Sequence, residues 1–174
     1  MVRETGAELE AIWLTHAHID HIGALAAVKR EWDVPVFLHP ADAPLFAAGA
    51  RQAAYYGLDF EQPDPPERTF GDGDRARVGS LEFEVLHTPG HAPGLVVFHG
   101  HGVVIAGDLL FAGSIGRTDL PLSNPADMEA SLARVMRQLG DDVVVHPGHG
   151  PSTTIGRERA TNPFVNGSAR VLVR

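Results

Sequence analysis

Short apolar runs separated by polar turns set the frame of this chain. Ala11-Ile12-Trp13-Leu14 reads as a buried strand, and Ile22-Gly23-Ala24-Leu25-Ala26-Ala27-Val28 reads as the start of a helix spanning 21–31. A second strand is predicted at 34–38 and helical pieces over 41–57. Pro63, Pro65 and Pro66 mark a loop at 61–67, and Gly71-Asp72-Gly73-Asp74 a turn. Leu81, Phe83 and Val85 alternate with Glu82 and Glu84, the period-two signature of a half-buried strand. The apolar runs Leu95 to Phe98 and Val103 to Ala106 are predicted to pair through the turn Gly100-His101-Gly102.

The clearest helix follows. Asn124 suits the N-cap and Pro125 the first helical position, where its missing N–H costs nothing. Met128, Leu132, Val135, Met136 and Leu139 then form one apolar face, and Gly140 is the predicted stop. Val143-Val144-Val145 is another buried strand. Strands outnumber long helices and several are consecutive, so the expected architecture is two sheets with helices packed outside them.

A length of 174 residues with 44% apolar content suits one domain with a real core, read as a single domain over 1–174. No apolar run approaches the ~20 residues of a spanning helix. Met1 to Gly6 lack an apolar signal region, and with no cysteine in the chain the cytoplasm is the expected setting. Without cysteine, disulfides and thiolate metal sites are excluded, so any metal must sit on nitrogen and oxygen. The formal charge of −8 disfavours nucleic acid as a partner, because phosphate binding wants a basic face. Two divalent ions would offset part of that charge.

Between the first strand and the first helix lies Thr15-His16-Ala17-His18-Ile19-Asp20-His21, three imidazoles and a carboxylate in one short stretch. Neutral imidazole and carboxylate are preferred ligands of zinc and similar ions. His16 and His18 are two apart, so at the end of an extended strand both point to one side and can grip one metal. Asp20 and His21 come as the chain turns and can face a second ion, roughly 3.5–4 Å away in two-metal hydrolytic sites. Three later strand ends offer further ligands: His91 in Thr88-Pro89-Gly90-His91, Asp108 after Gly107, and His146 or His149 in His146-Pro147-Gly148-His149-Gly150. Each is flanked by glycine or proline, which permit close backbone approach. Taken singly, His91 reads as a loop histidine and Asp108 as a helix cap. His39, His87, His99 and His101 carry no ligand context and read as surface or packing residues.

The set His16-Ala17-His18-Ile19-Asp20-His21, His91, Asp108 and His149 resembles the metallo-β-lactamase fold superfamily, over about residues 11–164. Thr88-Pro89-Gly90-His91, Gly107-Asp108-Leu109-Leu110-Phe111 and Gly116-Arg117-Thr118-Asp119 are similar to its glyoxalase II branch and the related persulfide dioxygenases. His146 to Gly156, with Glu158-Arg159 and Asn162-Pro163-Phe164, looks like its small single-domain bacterial members. The resemblance implies an αββα sandwich of two mixed sheets with helices on the outer faces. It implies that His16, His18 and His91 hold one metal, that Asp20, His21 and His149 hold a second, and that Asp108 bridges them. Two divalent ions are the implied cofactors, zinc first, with iron or manganese as alternatives. Lactam-cleaving members lack that bridging aspartate, so antibiotic hydrolysis is not expected. Three departures stand out. Only fourteen residues precede Thr15, so the chain reads as N-terminally short, lacking the fold's opening strands. The glutathione-binding helical extension of larger glyoxalase II enzymes is absent after Phe164. Leu122-Ser123 replaces the family's usual Gly-Gly.

Two ions sharing a water lower its pKa enough to supply hydroxide near neutral pH. The expected reaction is attack of that hydroxide on a small-molecule thioester of the hydroxyacylglutathione type, with Asp20 and Asp108 as the catalytic carboxylates. Asp20 accepts a proton from the water, and the sulfur leaves as thiolate because a thiol's pKa is only ~8.5. Arg117 and Asp119 read as a loop-ordering ion pair. The rival enzyme reading is a mononuclear iron persulfide dioxygenase on His16, His91 and Asp108. Phosphodiester hydrolysis is disfavoured by the acidic balance, and the non-enzyme alternative is a metal-binding, catalytically incomplete domain. No membrane or nucleic-acid partner is expected, and the oligomeric state is left open.

Overall fold

The computed structural model describes residues 6–171. The reading of Met1–Thr5 as lacking a signal region lies outside the described residues. The chain forms two compact units, divided between Phe70 and Gly71.

In the first unit, β1 (Ile12–Trp13) pairs parallel with β2 (Val36–Leu38), and β2 pairs parallel with β3 (Arg68–Thr69). This three-stranded sheet is parallel throughout its described pairs, so only the sheet of the second unit is mixed. The predicted helix at 21–31 is two helices, α1 (Ile19–Ile22) and α2 (Leu25–Glu31). Helix starts directly after extended His18 (φ −72°, ψ 155°), so Asp20 and His21 are already helical. The break falls at Gly23-Ala24. The helical pieces at 41–57 are a 3₁₀ turn (Pro40–Asp42), α3 (Ala43–Ala47) and α4 (Gly49–Tyr56). Their buried residues Leu45, Phe46 and Ala53 join Leu14, Ile22, Leu25, Val36 and Leu38 in the apolar interior. Glu67, just before β3, accepts from Lys29 Nζ (2.6 Å) and from the backbone N–H of Val36 (2.8 Å), tying α2 to β2.

The second unit is built on a six-stranded sheet of order β11-β10-β7-β6-β5-β4. Its strands are β4 (Arg75–Val78), β5 (Leu81–His87), β6 (Val96–Gly100), β7 (Val103–Gly107), β10 (Val144–Pro147) and β11 (Thr153–Thr154); the hairpin β8 (Leu110–Phe111) and β9 (Ser114–Ile115) stands apart. Along β5, Phe83 and Val85 are buried and alternate with half-buried Glu82 and Glu84, while Leu81 at the strand's start is exposed. β6 and β7 pair as predicted, and the turn residues His101 and Gly102 both have positive φ (52° and 77°), the conformation of a tight two-residue hairpin loop. β7 and β10 are parallel neighbours, which sets the ends of both strands side by side.

Helix α5 (Pro125–Gln138) starts as the sequence predicts: the Asn124 side chain accepts from the backbone N–H groups of Ala126 and Asp127. Met128, Leu132 and Val135 are buried. The helix ends one residue earlier than the glycine stop, because Leu139 turns extended (φ −100°, ψ 138°) and buries its side chain. Helix α6 (Ile155–Thr161) has no strong sequence period and was not predicted; Thr154 caps it by accepting from Arg157 N–H. Arg159 of α6 donates to the carbonyls of Met136 and Leu139 at the end of α5 (2.7 and 3.2 Å) and pairs with Asp141. No helix among the described residues is long and apolar enough to cross a membrane.

Candidate metal centre

The seven candidate ligands fall into two sets, four in the first unit and three in the second.

In the first set, His16 is fully buried and His18 nearly so, while Asp20 is exposed and His21 half-buried. The rings of His16 and His18 lie 4.9 Å apart, edge to face, and those of His16 and His21 3.9 Å apart. Asp20 Oδ2 stands 3.8 Å from His21 Nε2. The Nε2 atoms of His16, His18 and His21 are all buried. Thr15 Oγ1 lies 3.1 Å from His16 Nδ1, so the far nitrogen of that ring is the one left for a ligand role. Leu14 N–H still bonds Phe37 O in the manner of the sheet (3.0 Å). Beyond it, side chains hold the loop. Ala17 N–H donates to Asp42 Oδ2 (2.8 Å), Ala17 O accepts from Gln52 Nε2 (3.2 Å), and Ile19 N–H donates to Gln52 Oε1 (3.1 Å).

In the second set, Asp108 Oδ2 lies 3.4 Å from His91 Nε2 and 3.5 Å from His149 Nε2. His91 and Asp108 are buried, and the side chain of His149 is about half exposed, its ring edge-on to Phe111 at 5.9 Å. His91 Nδ1 lies 2.8 Å from the carbonyl of Arg117. A carbonyl can only accept, so that proton belongs on Nδ1, and in the neutral ring Nε2 carries a lone pair. The lone pair then faces a carboxylate oxygen, an arrangement that calls for a cation, whether proton or metal ion, between them. Both distances also exceed those of good N–H···O bonds. They match the edge of a tetrahedron with arms of ~2.1 Å, about 3.4 Å, which is the spacing of two ligands on one zinc-sized ion. The donor set, imidazole and carboxylate without sulfur, fits a divalent ion.

The His91 loop owes its shape to α5. Gly90 has φ +145°, and a Cβ there would lie 2.4 Å from Met128 Cα. Its carbonyl accepts from Asn124 N–H (2.7 Å), Pro89 O from Ser131 Oγ (2.7 Å), and His91 O from Ser123 Oγ (2.7 Å). Gly116 is equally confined, since a Cβ would lie 1.9 Å from Asp108 O and 3.1 Å from the His91 ring. At the third strand end, Gly148 N–H donates to Gly107 O (2.8 Å), joining the His149 loop to the Asp108 loop. His146 points elsewhere, with Nδ1 2.9 Å from Ser152 Oγ. Arg117 and Asp119 form a two-pronged ion pair (2.6 and 2.8 Å).

The signature described as "Metallo-beta-lactamase superfamily" covers residues 2–149. The chain belongs to this superfamily. Among its relatives, the probable metallo-hydrolase YqgX of Bacillus subtilis is 40% identical over 95% of this chain and 80% of its own. The hydroxyacylglutathione hydrolase GloC of Haemophilus influenzae is 37% identical, with 95% and 80% covered. Among solved structures, TTHA1623 in a di-iron-bound form superposes with a TM-score of 0.86 at 45% identity, covering 94% of this chain and 81% of that one. ETHE1 from Myxococcus xanthus gives 0.79 at 31%, covering 96% and 67%. Superfamily members bind divalent metal through His and Asp groups of this kind, and the chain is a metallo-β-lactamase superfamily hydrolase by descent.

Sequence reasoning assigned no positioning role to the side chains that brace the candidate-ligand loops and their neighbouring hairpin: Asp42, Gln52, Ser123, Glu158 and Asn162. Glu158 is fully buried and accepts from Thr153 Oγ1 (2.6 Å), Gly113 N–H (2.8 Å) and Asn162 Nδ2 (2.9 Å). Asn162 Nδ2 also reaches Ser114 O (2.9 Å), so α6 anchors the β8–β9 hairpin. The family motif around Glu158 and Asn162 was the one available signal for these two; Asp42 and Gln52 gave none.

Proposed function

We propose that this protein is a dinuclear metal-dependent hydrolase that cleaves thioesters of the hydroxyacylglutathione type. In this reading His16, His18 and His91 hold one ion, and Asp20, His21 and His149 hold the other. Asp108 serves both. The observation that carries it is the position of Asp108 Oδ2, which stands at ligand–ligand distance from both His91 Nε2 and His149 Nε2. Bound divalent ions supply Lewis acidity and lower the pKa of water toward neutrality. Zinc is the proposed metal, with iron the first alternative given the di-iron-bound relative.

The chain's own groups do the rest. Asp20, exposed beside His21, takes a proton from the attacking water. The carbonyl–sulfur bond breaks and sulfur leaves as thiolate, which needs no protein acid, since a thiol's pKa is only ~8.5. The acyl product forms as the acid and leaves as carboxylate, its remaining proton passing to solvent or to the departing thiolate. Likeness to GloC supports the thioester and its glutathione moiety. The partner is then a small molecule, with no role for nucleic acid or membrane, and the cytoplasm is the proposed setting.

The test is metal analysis of the purified chain together with hydrolysis of a hydroxyacyl thioester of glutathione. Two ions per chain and turnover are expected, and Asp108→Ala should lose both turnover and at least one ion. Full metal loading and activity in Asp108→Ala would overturn the shared-carboxylate role. One iron per chain with thiol-dependent oxygen uptake would replace the reading with a persulfide dioxygenase.

A further inference from the structure

We propose that Gln52, assisted by Asp42, is a positioning residue that sets the spacing of His16 and His18 before any metal arrives. The inference rests on the reading of those two histidines as ligands.

Strand β1 ends at Trp13, and its ladder to β2 reaches only as far as Leu14 N–H. Both histidines lie past that point, where the sheet no longer fixes the backbone. Between them sits Ala17, fully buried, with its N–H bonded to Asp42 Oδ2 and its carbonyl to Gln52 Nε2. Gln52 Oε1 takes the next alternate amide, Ile19 N–H, and the second Nε2 proton goes to Leu45 O (2.9 Å). Alternate residues of an extended segment face opposite ways. Ala17 O and Ile19 N–H flank the extended residue His18 (φ −72°, ψ 155°), so fastening both to Gln52, with Ala17 N–H on Asp42, fixes the backbone from which 16 and 18 project.

The Gln52 amide has one workable orientation. Ala17 O and Leu45 O only accept and Ile19 N–H only donates, so a flipped amide would break all three bonds. Asp42 is a fully buried carboxylate whose place is set by its own turn, with Asp42 N–H bonded to His39 O (3.0 Å). Together the two side chains supply what a neighbouring strand would have supplied. Groups that orient metal ligands in this way change metal affinity by about 10–100-fold when lost.

A comparison residue lies nearby. Gln62 bonds Ala50 N–H (3.3 Å) and Phe46 O (3.1 Å), linking the same helices without touching the ligand loop. The experiment compares Gln52→Met with Gln62→Met in two arms. In metal-free protein, amide exchange at Ile19 should speed about tenfold in Gln52→Met, the opening cost of roughly one hydrogen bond, and stay unchanged in Gln62→Met. In the second arm, cobalt(II) is added as the probe. Gln52→Met should bind it about 10–100-fold more weakly and alter its visible spectrum, whereas Gln62→Met should do neither. If Gln52→Met does not fold, Gln52→Glu carries the same measurements. It keeps the acceptor for Ile19 and loses both donors, so Ile19 protection should persist while cobalt affinity falls. Equal cobalt affinity and spectrum in the Gln52 variants would overturn the proposal, as would equal effects from Gln62→Met. Failure of the unaltered chain to bind cobalt would overturn the functional reading and the positioning role with it, even with Ile19 protected; cobalt binding that ignores Gln52 overturns the positioning role alone.

Discussion

Leu122 has φ +69° and occupies the third position of the turn Leu120-Pro121-Leu122-Ser123, closed by Ser123 N–H donating to Leu120 O (3.1 Å). Proline second and a positive φ third define a type II turn, whose third position favours glycine. A left-handed residue with a side chain costs about 1–2 kcal/mol. The turn delivers Ser123, whose hydroxyl bonds the His91 carbonyl. A comparison of Leu122→Gly with Leu122→Ala isolates the backbone effect. Leu122 is 57% exposed, and both variants lose the same modest packing, which cancels in the difference. At an ordinary position glycine would be less stable than alanine by roughly 0.5–1 kcal/mol. Here relief of the left-handed strain should reverse the order, leaving Leu122→Gly more stable by about 0.5–1 kcal/mol. With a urea slope of ~2 kcal/mol per M, the glycine midpoint should lie about 0.3–0.5 M above that of alanine. Alanine matching or exceeding glycine in urea titrations would refute the turn assignment.

Acid should weaken the first unit through Glu67, whose carboxyl is held down to about 2 by its hydrogen bond from Lys29, helped by the Val36 N–H. Its folded value lies below the ordinary 4.5, so its contribution is complete above pH 4.5 and is lost as pH falls toward about 2. Glu67→Gln should therefore flatten stability over that window in acid unfolding curves, and an unchanged acid limb would contradict the assignment. At the last strand end, metal content should fall in His149→Ala and hold in His146→Ala, as counted by elemental analysis. Loss confined to His146→Ala would move the ligand.

The parts legible in the sequence are those written in neighbouring residues. Asn124-Pro125 announces α5 because a cap and a first-turn proline are local chemistry, and the histidine cluster announces a candidate metal loop for the same reason. Less legible was β4, whose one buried residue, Ala76, leaves no alternation to read. The split of the 21–31 helix was hidden because the backbone departs from helical angles only at Ala24 (φ −96°, ψ −2°), a residue that by itself favours helix. Hardest of all were Asp42 and Gln52. They act on residues 25 to 35 positions away through side chain to backbone bonds, which leave no period and no motif.

The proton on His91 Nδ1 depends on the carbonyl of Arg117, two residues past a hairpin that Glu158 and Asn162 hold from α6. Those two anchors are synthesised after every one of the seven candidate ligands. On the ribosome, then, the histidine loop, His91 and Asp108 all emerge before the buttress that fixes the His91 tautomer exists. Order of synthesis thus leaves the β8–β9 hairpin, and with it the Arg117 carbonyl, unbraced until α6 has docked, and a chain stalled before Glu158 would carry all seven candidate ligands without those anchors.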